Sequence, residues 1–196
     1  MGVSTVSKVA KIPDGMSWTE AASMVMTGIT AYNVIHHLLT IQPTDTVMVE
    51  GASGGVGTSL IQLLHQKGIR VLASASKKNE EMVRKLGVTD FSAYDQEDPG
   101  EKFKNQADIV IDATKGSIKG ETGIQIMKEE GHYVALNELP SLELRQKKLG
   151  FYENFVPRKE YSDQEALTYL LDAYQKGHYQ IFVAQELPAT LENLIW

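Results

Sequence analysis

Short apolar runs and longer amphipathic stretches alternate along the middle of the chain. Runs rich in β-branched and other apolar residues occur at 46–50, 71–76, 90–94, 107–113 and 131–136, and they predict strands. Stretches with helical spacing follow three of these runs, at 58–67, 77–86 and 119–129. Strands that alternate with helices at this spacing predict an α/β fold with a doubly wound parallel sheet.

A helical lead-in is predicted before the first strand. Ser17 and Glu20 have the spacing of a capping box, which predicts that a helix begins there. After Thr27-Gly28, a second helix is predicted from about 29 to 39.

The segments after the fifth predicted strand have weaker patterns. Leu142, Leu144 and Leu149 alternate with polar residues and suggest a further strand. Ser162 is predicted to cap a helix that Gly177 ends, and the tail from 181 starts like a strand and closes with a short helical pattern. We expect one domain over 1–196, with a helical lead-in at 1–45, a core sheet at 46–160 and a C-terminal helix and tail at 161–196.

A glycine cluster joins the first predicted strand to its helix. Ala52-x-Gly54-x-x-Gly57 matches the dinucleotide fingerprint G-x-G-x-x-G, with alanine in place of the first glycine. Such a bend lets bare backbone amides approach a pyrophosphate at the helix N-terminus, and its last glycine lets helix and strand pack closely. The pattern favours a Rossmann-type NAD(P)-binding domain.

Three other interpretations compete for the same residues. The stretch 51–55 also fits G-x-S-x-G, the nucleophile elbow of α/β-hydrolases, with His132 or His178 as the later histidine. Only 45 residues precede its strand, however, and they are predicted mostly as helix, whereas a hydrolase sheet needs several earlier strands. Neither histidine lies in a loop with an obvious acidic partner. A Walker phosphate loop is excluded because no Lys-Ser or Lys-Thr follows the glycines. The glycines could also form a tight turn and nothing more.

Composition narrows the function classes. The net charge of −6 and the pI near 5.4 argue against a nucleic-acid partner. The absence of cysteine excludes disulfides, thiolate catalysis and cysteine-ligated zinc, and it fits a cytoplasmic location. No apolar run approaches a membrane span, and the first 17 residues lack the pattern of a signal peptide, so no membrane partner is expected.

The end of the second predicted strand bears on the choice of coenzyme. An acidic residue there would hold the ribose diol of NAD, but none occurs between Arg70 and Asn79. Hydroxyl and ammonium groups suited to a phosphate stand there instead, on Ser74, Ser76, Lys77 and Lys78. The sequence therefore favours NADP over NAD, although the two lysines could also be a solvated helix start.

Three linked motifs identify a resemblance. Residues 12–22, 27–32 and 47–57 closely resemble the zinc-independent quinone oxidoreductases of the medium-chain dehydrogenase/reductase superfamily, and 86–87, Tyr94 and 108–113 continue the match in order. The resemblance implies an enzyme that uses NADPH to reduce a small-molecule electron acceptor, either a quinone or an activated C=C or C=O bond.

The resemblance also assigns cofactor contacts. It implies that the pyrophosphate is held by Ser53, Gly54, Gly55, Val56 and Gly57. It places Thr30, Ala113 and Asn137 at the nicotinamide end and Tyr94 beside the adenosine. Two positions depart from the pattern, because Asn79 stands where relatives often have a phosphate-binding lysine and Asn137 where glycine is common.

The chaperonin-10-like domain with which family members begin has no counterpart here. We therefore expect a cofactor-binding domain that binds NADPH but turns over poorly alone, since that domain closes over the nicotinamide and supplies much of the substrate pocket. The alternative is a non-catalytic NADPH-binding sensor or scaffold. A homodimer through the predicted edge at 142–152 is a further expectation.

No catalytic residue or metal site is predicted. His36 and His37 are adjacent on a helix and diverge by about 100°, so they cannot chelate one ion together. Tyr152 and Tyr161 are conceivable proton donors, but a packing role is favoured for both. Asp108 and Asp112 share one side of a strand and are expected to cap or line a cofactor rather than form an acid pair.

Overall fold

The computed structural model describes residues 9–115 and 120–186. The strands are β1 (Thr46–Glu50), β2 (Arg70–Ala75), β3 (Asp90–Ala93), β4 (Ala107–Asp112), β5 (Met127–Ala135) and β6 (Gly150–Asn154). The helices are α1 (Trp18–Asn33), α2 (Gly55–Gln66), α3 (Glu80–Lys85), α4 (Pro99–Lys102), α5 (Gly120–Ile126), α6 (Leu142–Arg145) and α7 (Asp163–Gln175). A π-helical turn at Val34–Leu38 continues α1, and a 3₁₀ turn at Lys77–Asn79 precedes α3. None of the helices in the described ranges has the length and apolar character that a membrane span needs.

The strands form one parallel sheet in the order β3, β2, β1, β4, β5, β6. The chain moves outward from β1 to β3, returns to the centre and moves outward again from β4 to β6. This order confirms the predicted doubly wound sheet of the Rossmann type, with its reversal between β1 and β4. At that reversal, Glu50 lies opposite Ser74 of β2 and Asp112 of β4.

Helices cover both faces of the sheet, which explains why β1 is buried along its whole length. Val47 and Val49 belong to a core that includes Leu170 of α7. Met48, which points to the opposite face, belongs to a second core with Tyr133 of β5. The near-continuous apolar character of the central strands follows from this burial on two sides.

The first four strands begin and end within one residue of their predicted bounds. Helix α2 begins at Gly55, three residues earlier than predicted, because the glycine bend itself forms the first helical turn. The capping box is also confirmed, since the amide of Glu20 donates to Oγ of Ser17 and the Glu20 carboxylate accepts from the Ser17 amide.

The prediction of two lead-in helices was wrong. Helix α1 runs unbroken through Gly28 because this glycine is a packing position and not a helix end. A Cβ atom there would lie 2.7 Å from Cδ1 of Leu170 and 3.3 Å from the hydroxyl of Tyr179. Glycine thus lets α7 and the segment after it approach α1. The packing contact offsets the lower helix propensity of glycine.

Predictions after β4 were less accurate. The helix expected at 119–129 ends at Ile126, because Met127 already pairs with Ala107 as the start of β5. The alternation at Leu142 and Leu144 is helical instead, because Oγ of Ser141 accepts from the Leu144 amide and caps α6. A strand forms only from Gly150. Residues 181–186 form no strand, and the helical pattern expected near the C-terminus lies outside the described residues.

Candidate functional site

An open cleft of about 1060 Å³ lies at the carboxyl ends of the central strands, where the strand order reverses. Ligands of open α/β sheets bind at this place. Five of the residues assigned to the cofactor from sequence line the cleft, namely Ser53, Gly54, Ser74, Tyr94 and Ala113. The remaining assigned residues lie next to it in sequence or on neighbouring elements, as described below.

The bend between β1 and α2 is built on two glycines for different reasons. Gly51 has a φ of +73°, and a Cβ atom on it would lie 3.0 Å from the carbonyl carbon of Ala113. Gly57 has ordinary backbone dihedral angles but no space for a side chain, since a Cβ atom on it would lie 2.8 Å from Cα of Ala52. Gly51 therefore makes the turn that the fingerprint assigns to its first glycine, one residue before Ala52.

The N-terminus of α2 presents donors to the cleft. Gly54 is the N-cap residue and provides no side-chain cap, so the first amides of the helix, from Gly55 to Gly57, lack the partner that a serine or aspartate would supply. Unpaired amides and the helix dipole both favour an anion at this position. Val56, half-buried in this first turn, packs against the core and fixes the helix end.

One end of the cleft lies where β2 and β3 end, and the sequence predicts the adenosine at this end. Ser74 is buried, whereas Lys77 and Lys78 are exposed in the 3₁₀ turn. Oγ of Ser76 accepts from Nδ2 of Asn79 at 3.1 Å, so the hydroxyl hydrogen of Ser76 is free to donate to another group.

Two carboxylates that were not predicted from the sequence contact Lys77. Nζ of Lys77 forms an ion pair with Glu80, which also accepts from Nε of Arg84 at 2.8 Å. The amide of Lys77 donates to Oδ1 of Asp95 at 2.8 Å, and Asp95 lines the cleft. The segment between Arg70 and Asn79 contains no acidic residue, but Asp95, which follows β3 in the chain, lies beside the end of this segment.

Hydrogen bonds among loops position the opposite end of the cleft. Oδ1 of Asp112 accepts from both the amide and the hydroxyl of Thr114, at 2.9 and 2.5 Å. Nδ2 of Asn137 donates to the carbonyl of Thr114 at 2.5 Å, which ties the loop after β5 to the loop after β4. These contacts hold the Ala113 backbone against Gly51.

Thr30 lies half-buried on α1 and is not among the residues that line the cleft. Helix α1 approaches the bend one turn earlier, because a Cβ atom on Gly55 would lie 2.6 Å from Cγ2 of Thr27. The structure therefore brings the segment 27–30 next to the glycine bend, with Thr27 in contact.

Buried acidic groups form the floor of the cleft. Glu50 and Asp112 are 6% and 4% exposed, and both line the cleft. The hydroxyl of Tyr133 donates to Oδ2 of Asp112 at 2.9 Å. Burial and the charges of Glu50 and Asp112 raise the pKa of Tyr133 far above its usual value, so the phenol remains protonated.

The hydrolase interpretation is not supported by the geometry. Ser53 lines the cleft, but no histidine in the described ranges does so. Nε2 of His132 lies 2.7 Å from Oε1 of Glu153, between β5 and β6, and His178 follows α7. Acyl transfer to a serine needs a base within hydrogen-bonding reach of the hydroxyl, and neither histidine lines the cleft with Ser53.

The other candidate residues have structural partners. The rings of His36 and His37 stack on different tyrosines, Tyr32 and Tyr161. The hydroxyl of Tyr152 donates to the carbonyl of Lys148 at 3.0 Å.

Asp108 lies at the start of β4 and away from the cleft. It pairs with Lys128 at 2.7 Å and accepts from the Thr46 amide. Burial alone would raise its pKa, but these two hydrogen bonds lower it. Asp108 and Asp112 therefore serve opposite ends of one strand.

Comparisons with known proteins identify relatives and structural neighbours. No protein-family model matches the sequence. The synaptic vesicle membrane protein VAT-1 of Tetronarce californica is 30% identical over 139 residues, which are 67% of this chain and 36% of that protein. A polyketide synthase of Streptomyces halstedii, GfsB, is 30% identical over 140 residues, which are 70% of this chain and 2% of that protein.

Solved structures confirm the fold. The CurK enoyl reductase superposes with a TM-score of 0.81 at 21% identity, over 95% of this chain and 60% of that one. The Escherichia coli quinone oxidoreductase complexed with NADPH superposes with a TM-score of 0.78 at 21% identity, over 91% of this chain and 60% of that one. The chain therefore spans less than two thirds of the length of the proteins it matches.

Proposed function

Because the chain belongs to the medium-chain dehydrogenase/reductase superfamily, we propose that it is the cofactor-binding domain of an NADPH-dependent oxidoreductase. The substrate class is a quinone or an activated alkene or carbonyl compound, and the resemblance to the zinc-independent quinone oxidoreductases implies a reaction without zinc. The observation that carries the proposal is the uncapped N-terminus of α2 on a glycine bend, at the reversal of strand order.

The residues of the cleft fit the parts of the coenzyme. The amides of Gly55, Val56 and Gly57 bind the pyrophosphate, with Ser53 and Gly54 as the wall of the bend. Ala113, Asn137 and the loop of Thr114 position the nicotinamide end, with the segment of Thr30 on the far side of the bend. Ser74, Ser76, Lys78 and Tyr94 receive the adenosine phosphate end.

The chain's own residues orient the coenzyme and hold water away from one side of it. When bound, NADPH supplies the hydride that reduces the acceptor. The strand ends and the loop that Asp112 fixes set the position of the nicotinamide, since hydride transfer depends on distance and orientation. The structural neighbours are longer than this chain, and we propose that a further domain of the whole protein completes the acceptor pocket.

Coenzyme binding can be tested at Gly54 without disturbing the fold. Gly54 has φ −76° and ψ 166°, which any residue adopts, so Gly54→Asp places a capping carboxylate on the amides of α2. This variant should be about 1 kcal/mol more stable than the control Gly54→Ala, which adds the same Cβ atom without a cap. It should also bind NADPH at least about tenfold more weakly than that control, because the carboxylate occupies and repels the pyrophosphate position.

Isothermal titration calorimetry and chemical unfolding measure the two effects. Unchanged NADPH affinity in Gly54→Asp, or no binding by the wild-type chain, would contradict the proposal. A non-catalytic sensor or scaffold differs from the enzyme in turnover. Steady-state assays with a quinone acceptor on this chain and on the full-length protein separate the two, and equal rates would contradict the need for a further domain.

A further inference from the structure

The adenosine end of the cleft contains an acidic group at a position that matters for coenzyme choice. Asp95 lies two residues after the end of β3. Its Oδ1 accepts from the amide of Lys77, which lies two residues after the end of β2. The Tyr94 amide donates to the carbonyl of Ala75, which holds the ends of β3 and β2 side by side. Asp95 therefore stands where the fold normally receives a ribose.

Its charge is not neutralised by a neighbour. Glu97 in the same loop pairs with Lys102 at 2.8 Å, and Glu80 pairs with Lys77 and Arg84. Among the ion pairs of the described residues, none includes Asp95, and its hydrogen-bond partner is a backbone amide. The carboxylate is thus held in place while Oδ2 remains available to a ligand.

The ammonium groups at this end are not equivalent. Lys77 is engaged by Glu80, so its charge is offset where a phosphate would approach. Lys78 is exposed, and it forms no ion pair with a described residue. Asp95 lines the cleft, and Lys78 lies in the 3₁₀ turn whose first amide Asp95 accepts, so the two side chains would have opposite effects on a phosphate bound at this end.

We propose that Asp95 determines the coenzyme preference of this chain by accepting a hydrogen bond from the ribose 2′-hydroxyl of NADH. The proposal rests on the proposed pyridine-nucleotide function. Asp95 stabilises the diol of NADH and repels the 2′-phosphate of NADPH, whereas Lys78 attracts that phosphate. The chain consequently binds NADH as well as NADPH, and it discriminates less strongly between them than it would without Asp95.

The test is the ratio of the NADH and NADPH dissociation constants, measured by calorimetry for wild type, Asp95→Asn and a control. Asparagine keeps the oxygen that accepts from the Lys77 amide and removes only the charge. Asp95→Asn should shift the ratio toward NADPH by about tenfold or more, the effect of one charge-assisted hydrogen bond. Because both constants come from one sample, a loss of folded protein cancels from the ratio.

The matched control is Asp45→Asn. Oδ2 of Asp45 accepts from the Gln42 amide at 2.7 Å in an exposed turn before β1, at the opposite end of that strand. Its coenzyme ratio should stay within about twofold of wild type. If both coenzymes bind but Asp95→Asn leaves the ratio unchanged, or wild type prefers NADPH by more than about a hundredfold, the role of Asp95 is refuted while the proposed function stands. If neither coenzyme binds, the proposed function itself fails.

Discussion

The hydroxyl of Tyr133 donates a 2.9 Å hydrogen bond to Oδ2 of Asp112, beneath the cleft. Both side chains are almost completely buried, and Thr114 holds the other carboxylate oxygen from the cleft side. The bond joins β5 to the end of β4, so a core contact also fixes the loop that we propose to line the nicotinamide end. Under the proposed function, stability and coenzyme position would depend on the same pair.

Removing the hydroxyl group of Tyr133 should destabilise the fold. Tyr133→Phe leaves a buried carboxylate oxygen without its donor, and we expect a loss of about 1 to 3 kcal/mol in the free energy of unfolding, measured with urea. Tyr152→Phe is the control, since Tyr152 is half-buried beside Tyr133 and donates only to a backbone carbonyl. Equal losses in the two variants would show that Asp112 gains nothing special from Tyr133.

Alkaline pH should weaken the fold through the same group. Burial and the nearby acidic charges raise the pKa of Tyr133 above its ordinary value of 10.0. The folded state then holds the phenolic proton more tightly than the unfolded state does. Its contribution is fully present below pH 10 and is lost as the pH rises above that value, by about 1.4 kcal/mol per pH unit.

Urea unfolding between pH 8 and 11 measures this slope. In Tyr133→Phe the free energy of unfolding should fall less steeply above about pH 10, because one tyrosine with a raised pKa is missing. Some pH dependence should remain in that variant, because burial and the hydrogen bond to Glu165 also raise the pKa of Tyr32. An identical alkaline slope in wild type and Tyr133→Phe would show that Tyr133 ionises as freely as in the unfolded chain.

The last glycine of the bend should be far less tolerant than the glycine three residues before it. In Gly57→Ala the new Cβ atom would lie 2.8 Å from Cα of Ala52, so β1 and α2 must separate. We expect a loss of about 1 to 3 kcal/mol and weaker NADPH binding, as the amides of α2 move. Gly54→Ala meets its nearest atom at 3.3 Å and should keep most of its stability in thermal unfolding. Comparable melting temperatures for the two variants would contradict this close packing.

The local sequence pattern predicted the structure correctly in segments whose environment is the same along their whole length. Strand β1 and the bend were predicted because double-sided burial gives an unbroken apolar run and tight turns require glycine. Leu142 and Leu144 were assigned wrongly because two alternating leucines fit a strand and a helical turn equally well, and the Ser141 cap decides between them. Asp95 was not predicted to line the cleft, because only the pairing of β3 with β2 brings it to the end of β2.

Gly28 shows the same limit and gives a further prediction. Replacing a glycine inside a helix with alanine ordinarily stabilises it by about 1 kcal/mol. Here the Cβ atom would lie 2.7 Å from Cδ1 of Leu170, so Gly28→Ala should instead be destabilising by about 1 to 3 kcal/mol in urea unfolding. In the Leu170→Ala background the same change should be neutral or favourable, because the clash is gone. A destabilisation of equal size in both backgrounds would mean that Leu170 is not the obstacle.

The outer edge of β6 should pair two copies of the chain. Strand β6 ends the sheet of the described residues, so its outer edge can accept a further strand. Phe151 on this strand and Leu149 just before it are 61% and 68% exposed, so apolar surface lies beside this edge. Strand addition across a two-fold axis would pair the two backbones and cover these side chains together.

Size-exclusion chromatography with light scattering measures the oligomeric state directly. Wild type should elute as a dimer, and Phe151→Glu should dissociate it, because a carboxylate would be buried at the new seam. Phe182→Glu is the control, since Phe182 is 40% exposed and lies after α7, in a segment that contacts α2 through the hydrogen bond from the Gln180 amide to Gln62. It should remain dimeric. A monomeric wild type, or equal dissociation in both variants, would exclude the β6 edge as the interface.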